Sequence, residues 1–253
     1  MLSARTRYHA AVIARNEAAI VLEPRPYRER DLLLTVLGET HGVIRGVLRG
    51  ARGKRHARGA ASAQLLSLVT ISWFQRPSAE LATFTALELE RSSFPLASDV
   101  SRSATAAAVA ELLLTFCPAG EPAPRHFRLA RGLLEALLGP APPETVLAYA
   151  LVWILRLGGV FPEPGVCGAC GQPTGGRVRL EPGTGHPLCQ ACAPDGAASL
   201  APAALAFLEA SRNLGPDGEL PVAPRGLLHW LQRLARQEAH RPLRALDVLE
   251  KLR

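Results

Sequence analysis

Two pairs of cysteines constrain the fold of this chain more than any other feature. Cys167 and Cys170 form one C-x-x-C knuckle, Cys189 and Cys192 form a second, and 18 residues separate the two. A C-x-x-C turn directs both sulfurs toward one point, and two such turns supply the tetrahedral set of four thiolates that Zn²⁺ prefers. Because all four ligands then come from the protein, the spacing predicts one structural zinc ion per chain, not a catalytic one.

Other uses of paired cysteines fit this sequence less well. Stable disulfides need an oxidising compartment, and Arg5, Arg7 and Arg15 interrupt the N-terminal region before any apolar stretch long enough for an export signal. Thiol redox motifs usually occur singly on a strand–helix–strand unit. His186 is a rival ligand in the same segment, and Cys117, which follows an apolar run, is expected in a core.

The first 90 residues predict a small antiparallel β-barrel. A hairpin is predicted from residues 8–14 and 18–23 around a turn at residues 15–17, and further strands are predicted at residues 31–37, 42–49, 65–73 and 81–89. Five or six short strands in one segment favour a barrel, because closure of the sheet removes its exposed edges.

After Pro95 the apolar residues recur three and four positions apart, which is the period of a helix. Helices are predicted at residues 103–116, 125–138, 144–157, 203–213, 226–239 and 243–252. Residues 159–198 lack this period and are rich in Gly and Pro. We therefore expect an α+β multi-domain fold, with a barrel at residues 1–90 and a helical domain at residues 91–253 that carries a zinc-binding insert at residues 159–198.

The positive charge is concentrated in one part of the barrel sequence. The chain has 29 Lys and Arg against 22 Asp and Glu, a formal charge of +7. An Arg-rich composition can follow from the coding bias of a genome, so the distribution of charge is more informative than its sum. No acid lies between Glu39 and Glu80, whereas seven basic residues do. A polyanion is the natural partner of such a segment.

The strand period places two of these cations on one face. If Ile44 and Leu48 point into the barrel, then Arg45 and Arg49 project outward, about 13 Å apart. Residues 50–59 follow as a glycine-containing loop with four more positive charges. Arginine suits phosphate because its planar fork binds it with two hydrogen bonds. The candidate DNA-binding residues are Arg45, Arg49, Arg52, Lys54, Arg55 and Arg58.

A second basic set lies near the C-terminus, at Arg225, Arg233, Arg236, Arg241 and Arg244. Glu238 and two further acids lie nearby in the sequence and reduce the net positive charge. We therefore expect a solvated helical face there, or a binding site for the acidic tail of a partner protein. No catalytic motif is present: Arg55 follows Gly53-Lys54 where a nucleotide-binding loop needs Ser or Thr, and the seven histidines share no ligand spacing.

Taken together, these residues resemble the RecO family of bacterial DNA repair and recombination mediators over essentially the whole chain. The resemblance is carried by AIVL at residues 19–22 with YRERDLLLT at 27–35, HGVIRGVLRGAR at 41–52, and LGGVFP at 157–162 leading into CGACG at 167–171. The sequence departs from the family in using Arg where Lys is frequent and in its Ala-rich, Pro-interrupted middle.

The resemblance implies an N-terminal OB-fold, a helical bundle and an inserted zinc module. It also implies a protein that binds single- and double-stranded DNA, anneals complementary strands, and acts with RecR and single-strand-binding protein to load RecA on coated DNA. Neither catalysis nor a nucleotide cofactor is implied, and the protein is expected in the cytoplasm with the nucleoid.

Two other classes of function remain open from the residues alone. One is a zinc-containing nuclease or nucleic-acid-modifying enzyme. The other is a scaffold whose basic ends bind only acidic proteins.

Overall fold

The computed structural model describes residues 15–51, 62–77, 79–216 and 218–252. Its N-terminal part is a closed barrel with the strand order β1-β2-β3-β5-β4. The strands are β1 (Arg15–Tyr27), β2 (Asp31–Gly38), β3 (Gly42–Leu48), β4 (Leu68–Phe74) and β5 (Ala82–Arg91). Neighbouring strands are antiparallel except β3 and β5, which are parallel. The predicted OB-like barrel is confirmed.

The first strand differs from the prediction, because the chain makes no turn at residues 15–17. Strand β1 is continuous from Arg15 to Tyr27, and it pairs first with β4 and then with β2. Glu17 is buried and accepts hydrogen bonds from the distant His41 and Trp73, so this acid belongs to a strand. The strand predicted at residues 8–14 lies outside the described residues.

Alternate residues of β1 pack into two different hydrophobic cores. Ala19 and Val21 pack inside the barrel, whereas Ile20 and Leu22 join the helical core on its outer side. Burial on both faces explains the unbroken apolar run in this strand. Gly46 is required where β3 meets β5, because a Cβ there would lie 2.7 Å from the Ala82 carbonyl oxygen.

Six α-helices follow within the described residues, after a 3₁₀ turn at Phe94–Ser98. They are α1 (Val100–Phe116), α2 (Pro124–Leu138), α3 (Pro143–Leu157), α4 (Pro202–Asn213), α5 (Arg225–Glu238) and α6 (Arg244–Lys251). These bounds confirm the predicted helices to within three residues. Asp99 begins α1 by accepting the backbone N–H groups of Ser101 and Arg102 at 2.8 and 3.1 Å.

Helix α3 forms the centre of the helical part. Its residues from Val146 to Val152 are all buried, and α1, α2 and α5 pack around it. The same core continues into the barrel through Leu37, Leu66 and Leu68. Among the described helices, none combines the length and apolar character needed to cross a membrane.

Candidate nucleic-acid interface and metal centre

Strand β3 and the residue that follows it present two arginines to solvent, on the face that the strand period predicts. Ile44 and Leu48 are 5% and 7% exposed and belong to the barrel core, whereas Arg45 and Arg49 are exposed. Val43 and Val47 share the outer face with them and are half-buried. The outer face of β3 therefore alternates a short apolar side chain with a guanidinium group.

The charge of these arginines is not neutralised within the described residues. Arg45, Arg49 and Arg76 have no carboxylate partner there, although other arginines such as Arg156 and Arg236 are paired with acids. The segments at residues 1–14 and 52–61 contain no Asp or Glu. Among the described residues, then, no acid occupies these three guanidinium groups, and they can bind an external anion.

Arg45 borders the first of two grooves on the barrel. This first groove has a volume of about 580 Å³. Its basic and aromatic lining consists of Arg15, His41, Arg45, Trp73 and Arg76, and Glu80 is the one acid among the described residues that line it. Cations outnumber acids here, so the groove favours an anionic ligand.

Arg49 borders the second groove, which has a volume of about 360 Å³. Its basic and aromatic lining consists of Tyr27, Arg28, Arg49, Phe74 and Arg76. The one acid, Asp31, accepts the Gly50 backbone N–H at 2.9 Å. Arg76 lines both grooves, so they form one basic surface across the barrel.

Only part of this surface was identified from the sequence. Arg45 and Arg49 were predicted, and Arg52, Lys54, Arg55 and Arg58 lie outside the described residues. The structure adds Arg15, Arg28, His41 and Arg76, which come from β1, the two turns beside β2, and the end of β4. Only the register of the barrel brings them together, so no local motif marks them.

The four predicted metal ligands form one cluster. Their Sγ atoms all lie within 4.8 Å of one another, and the Cys170 and Cys189 sulfurs are 3.9 Å apart. A tetrahedral site with Zn–S bonds of about 2.3 Å has sulfur–sulfur distances of about 3.8 Å. His186 does not belong to the cluster. The donor set and its spacing therefore fit a four-coordinate Zn²⁺ ion.

Two thiols of this cluster have pKa values that are shifted in opposite directions. Hydrogen bonding, chiefly from the Cys189 backbone, lowers the pKa of Cys167 to about 6. Hydrogen bonding with Cys170 and then with Cys189 raises the pKa of Cys192 to about 12. Four sulfurs at this distance cannot all become thiolates without a cation to offset their charge, which is what a bound divalent ion supplies.

The local backbone explains how the knuckles form. The Cys167 N–H donates to the Gln172 carbonyl at 2.8 Å, and the Gly171 N–H donates to the Cys167 carbonyl at 2.9 Å. Gly171 adopts a φ of 70°, which an L side chain rarely does. Two short paired strands, β6 (Arg179–Leu180) and β7 (Pro187–Leu188), form a hairpin that precedes the second knuckle.

The cysteine module, residues 159–198, is attached to helix α5. The Trp230 indole N–H donates to the Gly185 carbonyl at 2.8 Å, and the Gln237 amide donates to the Gly183 carbonyl at 2.5 Å. Phe161 packs edge-on against Trp230, with 5.8 Å between ring centroids. The module is thus tied to the helical core through Phe161 and through the segment that joins β6 (Arg179–Leu180) to β7 (Pro187–Leu188).

The C-terminal arginines are only partly paired with other residues of the chain. Arg236 pairs with Asp247 at 3.0 Å and with Glu250 at 2.5 Å, and Arg241 donates to the Thr115 hydroxyl at 3.0 Å. The acids Asp247 and Glu250 thus neutralise the charge of Arg236. The barrel carries the larger unpaired basic surface.

Two family models match consecutive parts of the chain. The model described as Recombination protein O N terminal matches residues 14–93, which include the barrel strands. The model described as Recombination protein O C terminal matches residues 97–238, which include the cysteine module.

Similar proteins occur in several bacteria under the name DNA repair protein RecO. That of Anaeromyxobacter sp. (strain Fw109-5) is 35% identical over 214 residues, covering 80% of this chain and 82% of that protein. That of Anaeromyxobacter dehalogenans (strain 2CP-C) is 30% identical over 219 residues, covering 86% and 85%. That of Cutibacterium acnes (strain DSM 16379 / KPA171202) is 31% identical over 186 residues, covering 71% and 74%. None of these names refers to a catalysed reaction.

Proposed function

The chain belongs to the recombination protein O family of DNA repair proteins, and from this premise we propose that it is a DNA-binding recombination mediator. It binds single- and double-stranded DNA and anneals complementary strands. With RecR it helps to load RecA on DNA coated by single-strand-binding protein. Membership in the family supports a role in recombinational repair, and these finer steps are the proposal.

The observation that carries the proposal is the unpaired basic surface of the barrel. Arg45 is exposed on strand β3, Arg49 is exposed directly after its end, and Arg76 lines both of the grooves beside them. With about 13 Å between the Cα atoms of Arg45 and Arg49, the strand spans roughly two nucleotides of an extended backbone. Tyr27 and Phe74 are half-buried in the second groove, where an exposed ring edge or face can contact a base.

Such a surface suits annealing because it contacts the backbone of DNA. Arginines that bind phosphate neutralise the charge of a strand and leave the pairing edges of its bases free. Two strands held in this way repel each other less. The sequence at residues 52–58, with Arg52, Lys54, Arg55 and Arg58, adds four cations shortly after Arg49 and completes the proposed DNA-binding set.

We assign the metal centre a structural role. Cys167, Cys170, Cys189 and Cys192 would hold one Zn²⁺ ion, which offsets the thiolate charge and cross-links the two knuckles. Since the protein supplies four ligands, no coordination position is left for a substrate. In this assignment the barrel is the DNA-binding domain, and the helical domain carries the zinc module.

Strand annealing tests the proposal directly. Two complementary oligonucleotides are coated with single-strand-binding protein and mixed with the protein, without nucleotide, and duplex formation is followed by fluorescence quenching. We expect the wild type to accelerate annealing and R45E/R49E to lose most of that acceleration. The matched control is R128E/R131E, which makes the same charge change at exposed positions of helix α2 outside both grooves.

Two results would contradict the proposal. Equal acceleration by R45E/R49E and by the wild type would exclude the barrel surface as the working site. If the labelled strands are cleaved in the presence of Mg²⁺, and this activity copurifies with the protein, the result would instead support a zinc-containing nuclease.

A further inference from the structure

An acidic side chain lies directly beneath the basic first groove. The Glu17 side chain is only 4% exposed. Its Oε1 accepts from the His41 ring Nδ1 at 2.6 Å and from the Trp73 indole Nε1 at 3.1 Å. Its Oε2 accepts the backbone N–H groups of Thr40 and His41 at 2.8 and 3.2 Å. One carboxylate thus binds the turn between β2 and β3 to strand β4.

These hydrogen bonds fix two rings in the groove. His41 and Trp73 pack edge to face, with 5.3 Å between centroids and an angle of 84° between the ring planes. A carboxylate only accepts hydrogen bonds, so the Nδ1 of His41 donates to Glu17. The Nε2 edge of the ring therefore points away from Glu17.

Arg15 lies on the two rings that Glu17 holds. Its guanidinium carbon is 5.4 Å from the Trp73 ring centroid, and its Nη1 contacts the His41 Nε2. Register explains this position, because Arg15 and Trp73 are directly paired residues of β1 and β4. Within the described residues Arg15 makes no ion pair with Glu17 or with any other acid. The two rings therefore hold the Arg15 guanidinium in the groove, where no described carboxylate neutralises its charge.

The close approach of Glu17 to the end of β2 depends on a glycine. A Cβ on Gly38 would lie 2.6 Å from Oε2 of Glu17, so any other residue there would push the carboxylate from its present position. Gly38 thus leaves room for the carboxylate beside the turn whose N–H groups it accepts.

From this arrangement we propose that Glu17 is a positioning residue for DNA binding, which acts through His41 and Trp73 to hold Arg15 against a phosphate of the bound strand. The inference rests on the proposed function, and it adds Arg15 to the contacts on β3. It also reverses the ordinary expectation for an acid near a phosphate site. Removal of a negative charge there should strengthen DNA binding by simple electrostatics. Removal of a positioning residue should weaken it.

A double-mutant cycle with E17Q and R15Q separates these effects. The affinity for a labelled oligothymidylate is measured over a series of salt concentrations. We expect E17Q and R15Q each to weaken binding about threefold and to reduce the magnitude of the log–log salt slope by about 0.7, the value of one single-strand phosphate contact. The double variant should be no weaker than R15Q, because both changes remove the same contact.

The control is E29Q, which removes one negative charge at an exposed position of the turn between β1 and β2. It should leave affinity unchanged or slightly stronger, with an unchanged salt slope. H41Q is a second test of the positioning role of Glu17. It removes the ring that connects Glu17 to Arg15 and leaves the backbone contacts of Glu17 intact. It should reproduce the slope of R15Q even if E17Q does not fold.

Three results would overturn the inference: stronger binding by E17Q, an E17Q slope equal to that of the wild type, or additive losses in the double variant. A purely structural role would lower the melting temperature of E17Q and leave the slope of the folded protein unchanged. Failure of the proposed function looks different, because then R45Q/R49Q would bind as tightly as the wild type.

Discussion

The indole nitrogen of Trp230 donates a hydrogen bond of 2.8 Å to the carbonyl oxygen of Gly185. Gly185 adopts a φ of 74°, and a Cβ at that position would lie 3.3 Å from the same indole nitrogen. The tip of the β6–β7 hairpin therefore fits closely against helix α5. This contact joins the cysteine module to the helical core.

We expect W230F to lower the stability of the protein by about 1 kcal/mol, since it removes this hydrogen bond and retains most of the ring. It should also reduce the loss of melting temperature that a zinc chelator causes, because the module is then less coupled to the core. Calorimetry with and without chelator measures both effects. W153F is the matched control, since Trp153 donates to the Ser211 carbonyl at 3.0 Å, away from the module. An equal response of both variants to the chelator would contradict the coupling.

We expect C170S to lower the zinc content from one ion per chain to near zero and to reduce thermal stability, because a hydroxyl is a poor ligand for Zn²⁺. DNA affinity should change much less, since the module does not line the grooves of the barrel. Elemental analysis, calorimetry and gel shift provide the three measurements. C117A, which changes the cysteine outside the cluster, should keep its zinc. A normal melting temperature with a large loss of DNA affinity would reverse the structural assignment.

Substitution of Arg45 and Arg49 by glutamine should weaken binding to all single-stranded sequences alike, because phosphate contacts carry no sequence information. If about five phosphates are contacted, the wild-type log–log salt slope is about −3.5, and R45Q/R49Q should reduce its magnitude by about 1.4. Fluorescence anisotropy over a salt series gives both values. R128Q/R131Q on helix α2 should leave the slope unchanged. A sequence-dependent loss in R45Q/R49Q would argue against backbone binding.

The stability of the protein should fall in mild acid because of His126. Burial lowers the pKa of this histidine below its ordinary value of 6.5, and its Nε2 has no hydrogen-bond partner among the described residues. The unfolded state then binds the proton more readily, so stability is lost as the pH falls below about 6.5. Urea unfolding of the wild type and H126L above and below that pH isolates the effect. H126L should lose less stability on acidification, and parallel losses would exclude His126 as a cause.

The five cysteines should differ in their reactivity toward a thiol reagent. Burial raises the pKa of Cys117 to about 11, so at mildly alkaline pH it stays a protonated, slowly reacting thiol. In native protein treated with chelator, Cys167, whose pKa is lowered to about 6, should therefore react fast, whereas Cys117 and Cys192, whose pKa values are raised, should react slowly. Titration with a chromogenic disulfide counts them. Five fast thiols in the folded, chelated protein would contradict the burial of Cys117.

The parts of the structure that could be predicted from the sequence depend on short spacings. The knuckles at Cys167 and Cys189 need only neighbouring residues to direct their sulfurs, and the helices follow from apolar residues three and four positions apart. The orientation of Arg45 and Arg49 follows from the period of a single strand. In each case the physical cause lies within a few residues.

The parts that could not be predicted depend on partners distant in the chain. Arg15-Asn16-Glu17 has the polar character of a turn, yet Glu17 is buried because His41 and Trp73, 24 and 56 residues away, satisfy its carboxylate. His41 had no nearby histidine or cysteine to single it out. Arg15 and Arg76 enter the grooves only because the barrel closes in one particular register.

The shared core of the barrel and helices bears on how the protein can be divided. Ile20, Leu22 and Leu37 belong to the barrel strands, yet they are covered by residues of the helical part. A fragment cut after Arg91 would expose these side chains to water and would tend to associate with itself. Heat or urea should therefore melt barrel and helices in a single cooperative transition, and an isolated barrel is a poor substitute for the full chain.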